Sequence, residues 1–496
     1  MFVDSTEDMG RDSLKQKAAT GMMWTALQKY SMMFINFISD IILARLLSPS
    51  DFGCIEMLAV FMLVAEAFVS GGFGAALIQK KSPTQVDYST VFYWNIGMAA
   101  IMYALLYMSA PAISRFYGIT LLSDILRVQG LILFVYAFNI IQYNQLKKRL
   151  NFKAIAIVTV VTQVVSFVVT VFLAYRGFGV WALVVKNLVA STLVSVIFWF
   201  YLKWRPLWVF SWKSFKELFS FGFYMFLTHF VTQISVKIQS LLIGKLYNPS
   251  IIGYYAKASS TENMASSSIS QVMEQVTFPL YAEVQDDKVA MQNMVKRLTM
   301  TLSYITFPLL FILLLLAKPI FLLLYTEKWL QSVPYFQVLC IAGLAHCLQS
   351  VNIQTISAIG KSKVTFVWTM VKRFVGIGFI VVGLMFWGMK GLLCGAVLNQ
   401  WFSYFVNMGL VSKHVGYKWS RQLLDLSSVF FASILIAAIS YFCGQLCPGN
   451  VYMNGLLVFA VYTSLYLGWS FICKPIAFEY FKTIIIPLIS KVRSRH

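Results

Sequence analysis

The chain has 496 residues, of which 59% are hydrophobic and 12% charged, and its formal net charge is +21. Soluble domains carry about 25% charged residues, so this composition indicates an integral membrane protein rather than a soluble enzyme. The basic residues lie mainly in short segments between apolar stretches, which favours membrane topology over nucleic-acid binding as the reason for the charge. Neither cysteines nor histidines show metal-ligand spacing, and we expect no metal or cofactor.

Fourteen apolar stretches are long enough to cross a bilayer, which takes about 20 residues. In chain order we predict spans at 20–46, 52–79, 87–110, 120–145, 154–175, 178–202, 216–246, 251–281, 295–317, 330–358, 363–387, 391–412, 424–445 and 452–473. With the N-terminus in the cytoplasm, 26 of the 40 Lys and Arg residues fall in cytoplasmic segments. Only 7 fall in outer loops, so the positive-inside rule predicts that both termini are cytoplasmic.

The sequence LSPSDFG at 47–53 is nearly repeated as YNPSIIG at 247–253, without gaps around it. An offset of 200 residues places span 1 over span 7, which indicates an internal repeat of six spans. We therefore predict an all-α membrane protein with two six-helix bundles related by a pseudo-two-fold axis along the membrane normal. The expected parts are a cytoplasmic tail at 1–17, bundles at 18–203 and 214–413, helices 13 and 14 at 421–473, and a basic amphipathic cytoplasmic tail at 475–496.

Seven cationic residues fall within the predicted spans, where a lipid-facing charge costs about 2.5–3.5 kcal/mol on insertion scales. They are Lys29, Arg127, Lys186, Lys237, Lys257, Lys372 and Arg373. Arg127 and Lys186 lie near span ends and can extend towards the interface. Lys372 and Arg373 are far from an end, so we expect them to face a wet interior.

Polar residues also follow one face of several spans. Span 1 carries Lys29 and Asp40 on one face, and span 8 is polar over more than half of its circumference. These patterns predict a water-filled cavity, although packing through small residues would explain the serines of span 8 and an internal ion pair would explain Lys29. Candidate substrate-binding residues are Lys29, Gln233, Lys237, Lys257, Asn263, Lys372 and Arg373. Candidate coupling-ion or charge-balancing residues are Asp40, Glu66, Glu262 and Glu274.

The cationic excess within the spans favours an anionic substrate group such as a phosphate. Beyond this chemistry, the ordered stretches ILARLLSPSDFG, SGGFGAALIQKK, NPSIIGYYAKA and FPLYAEVQDD resemble the Wzx-type polysaccharide exporters of the MOP exporter superfamily. The resemblance covers about residues 15–475. It implies alternating access and flipping of undecaprenyl-diphosphate-linked oligosaccharide from the inner to the outer leaflet of a bacterial inner membrane. The resemblance also implies cavity cations that hold the diphosphate, as arginines do in the related lipid II flippases; no motif carries these arginines across, and Lys257 is their best analogue by position.

Two other functions remain open from the sequence. A cation-coupled multidrug exporter would have an aromatic, acidic cavity, which the intramembrane cations do not favour. A membrane-embedded polysaccharide polymerase or glycosyltransferase would need a sizeable catalytic loop, and we expect no enzyme activity. The expected partners are lipid-linked oligosaccharide and membrane lipids, with polysaccharide polymerase and assembly proteins as further candidates and no nucleic acid.

Overall fold

The structure is a computed structural model that describes residues 4–284, 286–446 and 449–483. Helices and short connections make up this described part. The helices are α1 (Asp4–Leu46), α2 (Pro49–Ser70), α3 (Phe73–Gln79), α4 (Gln85–Tyr117), α5 (Leu121–Gly130), α6 (Ile132–Lys148), α7 (Phe152–Tyr175), α8 (Val180–Leu202), α9 (Trp212–Leu246), α10 (Pro249–Glu283), α11 (Lys288–Leu315), α12 (Ala317–Tyr325), the 3-10 helix η1 (Glu327–Ser332), α13 (Val333–Ala358), α14 (Ser362–Val415), α15 (Trp419–Leu446) and α16 (Val451–Cys473).

Ten stretches of the described helices are long and apolar enough to cross a membrane, so the prediction of a multi-pass all-α membrane protein is confirmed. Three further helices, α1, α9 and α10, have 43, 35 and 35 residues and are not among these ten stretches. The count of fourteen spans therefore stays a prediction. At the N-terminus, α1 already begins at Asp4, so the helix continues into the predicted polar tail.

Two spans that were predicted as single stretches are interrupted. The stretch 52–79 divides into α2 and α3 at Gly71 and Gly72, which have φ values of 52° and 72°. Positive φ favours glycine, and a Cβ on Gly72 would lie 2.0 Å from the carbonyl oxygen of Gly222 in α9. The stretch 120–145 divides into α5 and α6 at Leu131. The hydropathy of a stretch does not reveal such breaks.

The helix α14 contains a sharp turn at Trp387 and Gly388, where the backbone leaves helical geometry. Contacts across this turn pair residues at equal distances from it, so the two segments run antiparallel. A Cβ on Gly383 would lie 2.1 Å from the Gly391 carbonyl oxygen, and one on Gly391 would lie 1.9 Å from the Gly383 oxygen. Glycines allow this backbone approach. The turn lies between the predicted spans 363–387 and 391–412.

The described residues form two compact units, one up to Gly253 and one from Tyr254 onwards. In the first unit, α9 packs against α2, α3 and α4. In the second unit, residues of α11, α13, α14, α15 and α16 share one apolar core. The division falls inside α10 rather than in the connection at 203–211, and the predicted bundle bounds stay a prediction.

The repeated turn has the same form in both places. Helix α1 ends at Leu46 and α2 begins at Pro49, while α9 ends at Leu246 and α10 begins at Pro249. The first copy is stabilised by a capping box, in which Ser48 and Asp51 bind each other's backbone N–H groups. Both turns lie between predicted spans, 20–46 and 52–79 for the first copy and 216–246 and 251–281 for the second.

Within the first unit, the two copies of the turn pack on each other reciprocally. A Cβ on Gly53 would lie 1.8 Å from the Pro249 carbonyl oxygen, and one on Gly253 would lie 1.9 Å from the Pro49 oxygen. Each glycine thus accommodates the backbone of the residue that opens the other copy's helix. The reciprocity is what a local two-fold relation between the copies requires.

Candidate functional site

The polar face of α1 is used in part for helix packing. The Asn36 Oδ1 atom accepts a hydrogen bond of 2.8 Å from Gln163 of α7. Two helical turns earlier, Gln28 donates to Thr159 Oγ1 at 2.9 Å. Lys29 itself is exposed, and its ammonium has no ion pair with a described carboxylate. The alternative of an internal ion pair for Lys29 is therefore not seen among the described side chains.

Lys237 of α9 is held by Glu56 of α2. The Lys237 Nζ atom lies 2.6 Å from Glu56 Oε1, and the side chains are 28% and 20% exposed, respectively. The Ser240 hydroxyl donates to the same oxygen at 2.6 Å. Because Glu56 balances the charge of Lys237 within the first unit, this pair adds no net charge to the interior.

Two further candidates lie near this pair in the first unit. Gln233, one turn before Lys237, is half-buried and lines a small pocket between α2 and α9. The remaining lining is apolar and consists of Val60, Leu63, Val64, Phe230 and Ile234. Glu66 of α2 is half-buried and lies close enough to Tyr136 of α6 to act on it electrostatically. Asp40 lies on α1 and is also half-buried.

In the second unit, Lys257 of α10 is enclosed by aromatic rings. Its side chain is only 3% exposed. The ammonium lies 5.0 Å from the ring centroid of Tyr325 and 5.0 Å from that of Trp329. Thr261, one turn further along α10, shares a hydrogen bond of 3.1 Å with the Tyr325 hydroxyl. Cation–π attraction is strongest where the cation is desolvated, so these rings stabilise the buried charge of Lys257.

Glu262 and Asn263 are consecutive in α10 but lie in different surroundings. Glu262 is buried, and a Cβ on Gly343 of α13 would lie 2.3 Å from its Oε1 atom. The small residue therefore makes room for the carboxylate. Asn263 is exposed, and its Nδ2 atom donates to the Ser259 carbonyl oxygen at 2.8 Å. The side chain of Glu274, the remaining acidic candidate of this helix, lies outside the described residues.

Lys372 and Arg373 of α14 are also separated by their surroundings. Lys372 is 8% exposed, and its ammonium donates to Asn407 Oδ1 at 2.7 Å, across the two antiparallel segments. The sequence predicted that both residues face a wet interior, but Lys372 is packed against a neutral amide. Arg373 is half-buried and has no ion pair with a described carboxylate.

We expect Asn407→Leu to lower the free energy of unfolding by about 2 kcal/mol, because a buried ammonium loses its acceptor. The double variant Lys372→Met/Asn407→Leu should recover most of this loss, since no charge is then left unpaired. Unfolding of the purified protein with a denaturing detergent provides the measurement. Equal stability of the single and double variants would contradict the role of Asn407 as the acceptor.

The comparisons with known proteins agree on one family. Residues 42–334 match the family model described as polysaccharide biosynthesis protein. This chain belongs to that family. The finding confirms the resemblance to Wzx-type exporters of the MOP exporter superfamily, and the matched region includes both copies of the repeated turn. The family region also holds Glu56, Lys237, Lys257 and Trp329.

Two curated members of the polysaccharide biosynthesis group are similar to most of the chain. Teichuronic acid biosynthesis protein TuaB of Bacillus subtilis is 25% identical over 358 residues, which cover 72% of this chain and 74% of TuaB. Lipopolysaccharide biosynthesis protein WzxC of Escherichia coli is 22% identical over 450 residues, which cover 88% of this chain and 90% of WzxC.

Among solved structures, the lipid II flippase MurJ in an inward closed conformation has a similar fold. The TM-score is 0.75, and the match covers 94% of this chain and 100% of the MurJ chain at 15% sequence identity. At this identity the likeness concerns the fold alone. This chain thus has a helical arrangement similar to that of a known membrane transporter.

Sequence reasoning missed the partners of the intramembrane cations. Glu56 was counted as an acid within a span, but nothing linked it to Lys237, 181 positions away. Tyr325 and Trp329 were not singled out, although two aromatic residues four positions apart are a usable signal. Asn407 gave no signal, because its role depends on the antiparallel packing within α14.

Proposed function

We propose that this chain is a flippase that moves undecaprenyl-diphosphate-linked oligosaccharide from the inner to the outer leaflet of a bacterial inner membrane by alternating access. Family membership and the names of TuaB and WzxC support a role in polysaccharide biosynthesis. The MurJ-like fold supports movement of a lipid with a large polar headgroup. Unaided passage of such a headgroup through hydrocarbon is prevented by the cost of desolvating its charges and hydroxyls.

The observation that supports this function most directly is which intramembrane cations form ion pairs and which do not. Lys237 is neutralised by Glu56, whereas Lys29 and Arg373 have no ion pair with a described carboxylate. A cation in a membrane helix is costly unless it finds an anionic partner or water. A diphosphate group provides such a partner and binds well to Lys and Arg. We therefore propose that Lys29 in the first unit and Arg373 in the second unit each contact the diphosphate at some stage of its passage.

The other candidates receive subsidiary roles. Asn263 is exposed and would bind sugar hydroxyls, together with Gln233. Lys257 would reach the diphosphate only after Tyr325 and Trp329 move away from its ammonium. Lys237 and Lys372 would position neighbouring groups, while Asp40, Glu66, Glu262 and Glu274 would hold a coupling proton or cation, or balance charge.

We also propose the topology that this mechanism needs. It comprises fourteen spans in two related six-helix bundles with helices 13 and 14 added, and both termini on the cytoplasmic side. A transporter is favoured over a polymerase or glycosyltransferase, because the longest connection between successive described helices is only the segment 203–211. Such a segment is too short to form a catalytic domain.

Flipping of a fluorescent undecaprenyl-diphosphate oligosaccharide in proteoliposomes tests this function. We expect Lys29→Gln and Arg373→Gln each to slow flipping by about 10- to 100-fold, the kinetic equivalent of losing one hydrogen bond to a charged group. Arg176→Gln serves as the control, because Arg176 is exposed and rests on Phe172 at the end of α7. Its flipping rate should equal that of the unaltered protein.

The assay separates the function from the assignment of the site. Folded protein that flips no lipid-linked oligosaccharide but exports organic cations would replace the flippase with the multidrug exporter. Flipping that is equally fast in all variants would leave the function in place and contradict the roles of Lys29 and Arg373.

A further inference from the structure

A basic cavity lies in the second unit, at the end of the helices where α11 begins and where α14 both begins and ends. Its volume is about 320 Å³. Four basic side chains line it, namely Lys288, Lys361, Lys413 and His414. They come from the start of α11, the connection before α14 and the last turn of α14. Tertiary packing thus brings together three lysines and one histidine from three separate parts of the chain.

The lysines of this cavity form no ion pairs with described carboxylates. Lys288, Lys361 and Lys413 are exposed. Neighbouring acids are occupied elsewhere: Asp287 caps α11 by accepting from the backbone of Val289 and Ala290. Asp425 accepts from the Tyr417 hydroxyl at 2.6 Å and pairs with Lys296 at 2.9 Å. Asp286 is exposed and does not line the cavity.

Tyr417, two residues after the cavity-lining Val415, supplies no negative charge, because a phenol is neutral at physiological pH. Burial and the nearby carboxylate of Asp425 raise the pKa of Tyr417 further above its ordinary value. Like charges confined to one small cavity repel each other. An anion that binds between the lysines therefore removes an unfavourable interaction as well as forming new ones.

The remaining wall of the cavity is apolar and comprises Met291, Ile359 and Val415. Basic groups beside apolar side chains, at the end of membrane helices, suit a lipid in which a phosphate headgroup adjoins hydrocarbon. Basic pockets between membrane helices bind lipid phosphates in this way. In the topology proposed above, this end faces the cytoplasmic leaflet, although the binding argument does not require transport.

We propose that this cavity is a binding site for a phosphate-bearing anionic headgroup. Lys361 and Lys413 contact the phosphate, and Lys288 and His414 complete the ring of basic groups around it. Two sources share this chemistry, an anionic membrane lipid and a free diphosphate. The site differs from the intramembrane cations Lys29 and Arg373 and holds its ligand at the membrane surface.

Native mass spectrometry of the purified full chain measures this binding directly. The probes are phosphatidylglycerol, phosphatidylcholine and inorganic diphosphate, each titrated separately. We expect the unaltered protein to bind phosphatidylglycerol in preference to phosphatidylcholine. Lys361→Gln/Lys413→Gln should weaken phosphatidylglycerol binding by about 30-fold, from the attraction of two basic residues to an anionic lipid.

The control variant Lys318→Gln/Lys390→Gln removes two exposed lysines from the second unit. Neither residue lines the cavity, so the affinity of this control variant for phosphatidylglycerol should equal that of the unaltered protein. The single variant Lys288→Gln gives an independent check and should weaken binding by about fivefold. If the lysine substitutions weaken binding of both phosphatidylglycerol and inorganic diphosphate, the phosphate itself provides the affinity. If they weaken binding of the lipid alone, the complete headgroup is required.

Two results would overturn the site. One is equal binding of phosphatidylglycerol and phosphatidylcholine by the unaltered protein. The other is an equal loss of affinity in the cavity variant and the control variant, since this would indicate a general surface charge effect. Neither result depends on flipping, so a failure of the proposed function is distinguishable from a failure of this site.

Discussion

Glu56→Met is expected to lower the free energy of unfolding by about 3 kcal/mol. The substitution leaves the Lys237 ammonium without its carboxylate inside the first unit, and breaking a buried ion pair in this way costs about 3–5 kcal/mol. We take the lower end of that range because 28% of the Lys237 side chain is exposed. The double variant Glu56→Met/Lys237→Met should regain most of the stability, since it contains no unpaired charge.

The control for this prediction is Glu217→Met. Glu217 also pairs with a lysine of the first unit, Lys80, at 3.0 Å, but its side chain is 57% exposed. An exposed ion pair contributes about 0–1 kcal/mol. Unfolding in a denaturing detergent should therefore show a much larger loss for Glu56→Met than for Glu217→Met. Similar losses in the two variants would mean that the Lys237 ammonium is adequately hydrated without Glu56.

The same double variant also tests what Lys237 does in transport. Its restored stability allows the flipping rate to be measured without a difference in folding. Normal flipping by the double variant would agree with the positioning role proposed for Lys237. Loss of flipping in the stable double variant would instead assign Lys237 to direct substrate contact, and Lys29→Gln measured beside it gives the reference for such a loss.

Gly53→Ala and Gly253→Ala should each destabilise the protein by at least about 3 kcal/mol. A Cβ at either position would lie within 2 Å of a carbonyl oxygen, 1.8 Å for Gly53 and 1.9 Å for Gly253. The obstacle is backbone at the start of a helix, so it cannot move aside as a flexible side chain would. Overpacking typically costs about 1–3 kcal/mol, and the direct overlap here places the expected cost at or above the upper limit.

Gly97→Ala is the matched control in the same unit. Gly97 lies in α4, and a Cβ there would have no atom within 4 Å. Since alanine is favoured over glycine in a helix by about 1 kcal/mol, this variant should be as stable as the unaltered protein or more so. If Gly53→Ala and Gly97→Ala had the same apparent melting temperature, the close packing of the two turns would be disproved.

The losses of stability caused by the two glycine substitutions should not be additive. Each one separates the same pair of turns, so once Gly53→Ala has forced them apart, Gly253→Ala has less left to disrupt. We expect the double variant to be less destabilised than the sum of the single variants. Non-additivity of this kind is the mark of residues in contact, and full additivity would indicate that the turns do not pack together.

The features that sequence analysis found correctly are those that depend on neighbouring residues. Apolar length indicated the membrane class, because about 20 apolar residues suffice to cross hydrocarbon whatever their partners are. The turn at Leu47–Gly53 was found through its near repetition at 247–253, and Pro49 and the Ser48–Asp51 capping box stabilise it within one helical turn. The family resemblance likewise rested on short ordered stretches that include both copies of this turn.

The candidate site was found only in part. Charges within spans identified Lys237, Lys257 and Lys372 as unusual, since a cation in a membrane helix is costly wherever it lies. Their partners could not be found in this way. The partners lie 35 to 181 positions from their lysines along the chain and are close to them only in the folded protein. They are Glu56, the rings of Tyr325 and Trp329, and Asn407. Packing determines whether such a lysine is neutralised, enclosed or open to a ligand.

The basic cavity shows the same division between local pattern and packing. The sequence marks Lys288, Lys361 and Lys413 as basic residues beside apolar spans, which is what the positive-inside rule expects of any cytoplasmic segment. The antiparallel folding of α14, with its turn at Trp387 and Gly388, brings the start and end of that helix to the same side, as the predicted spans 363–387 and 391–412 require. Only tertiary packing brings Lys288 of α11 beside them, so the lysines form one cavity in the folded chain and separate charges in the sequence.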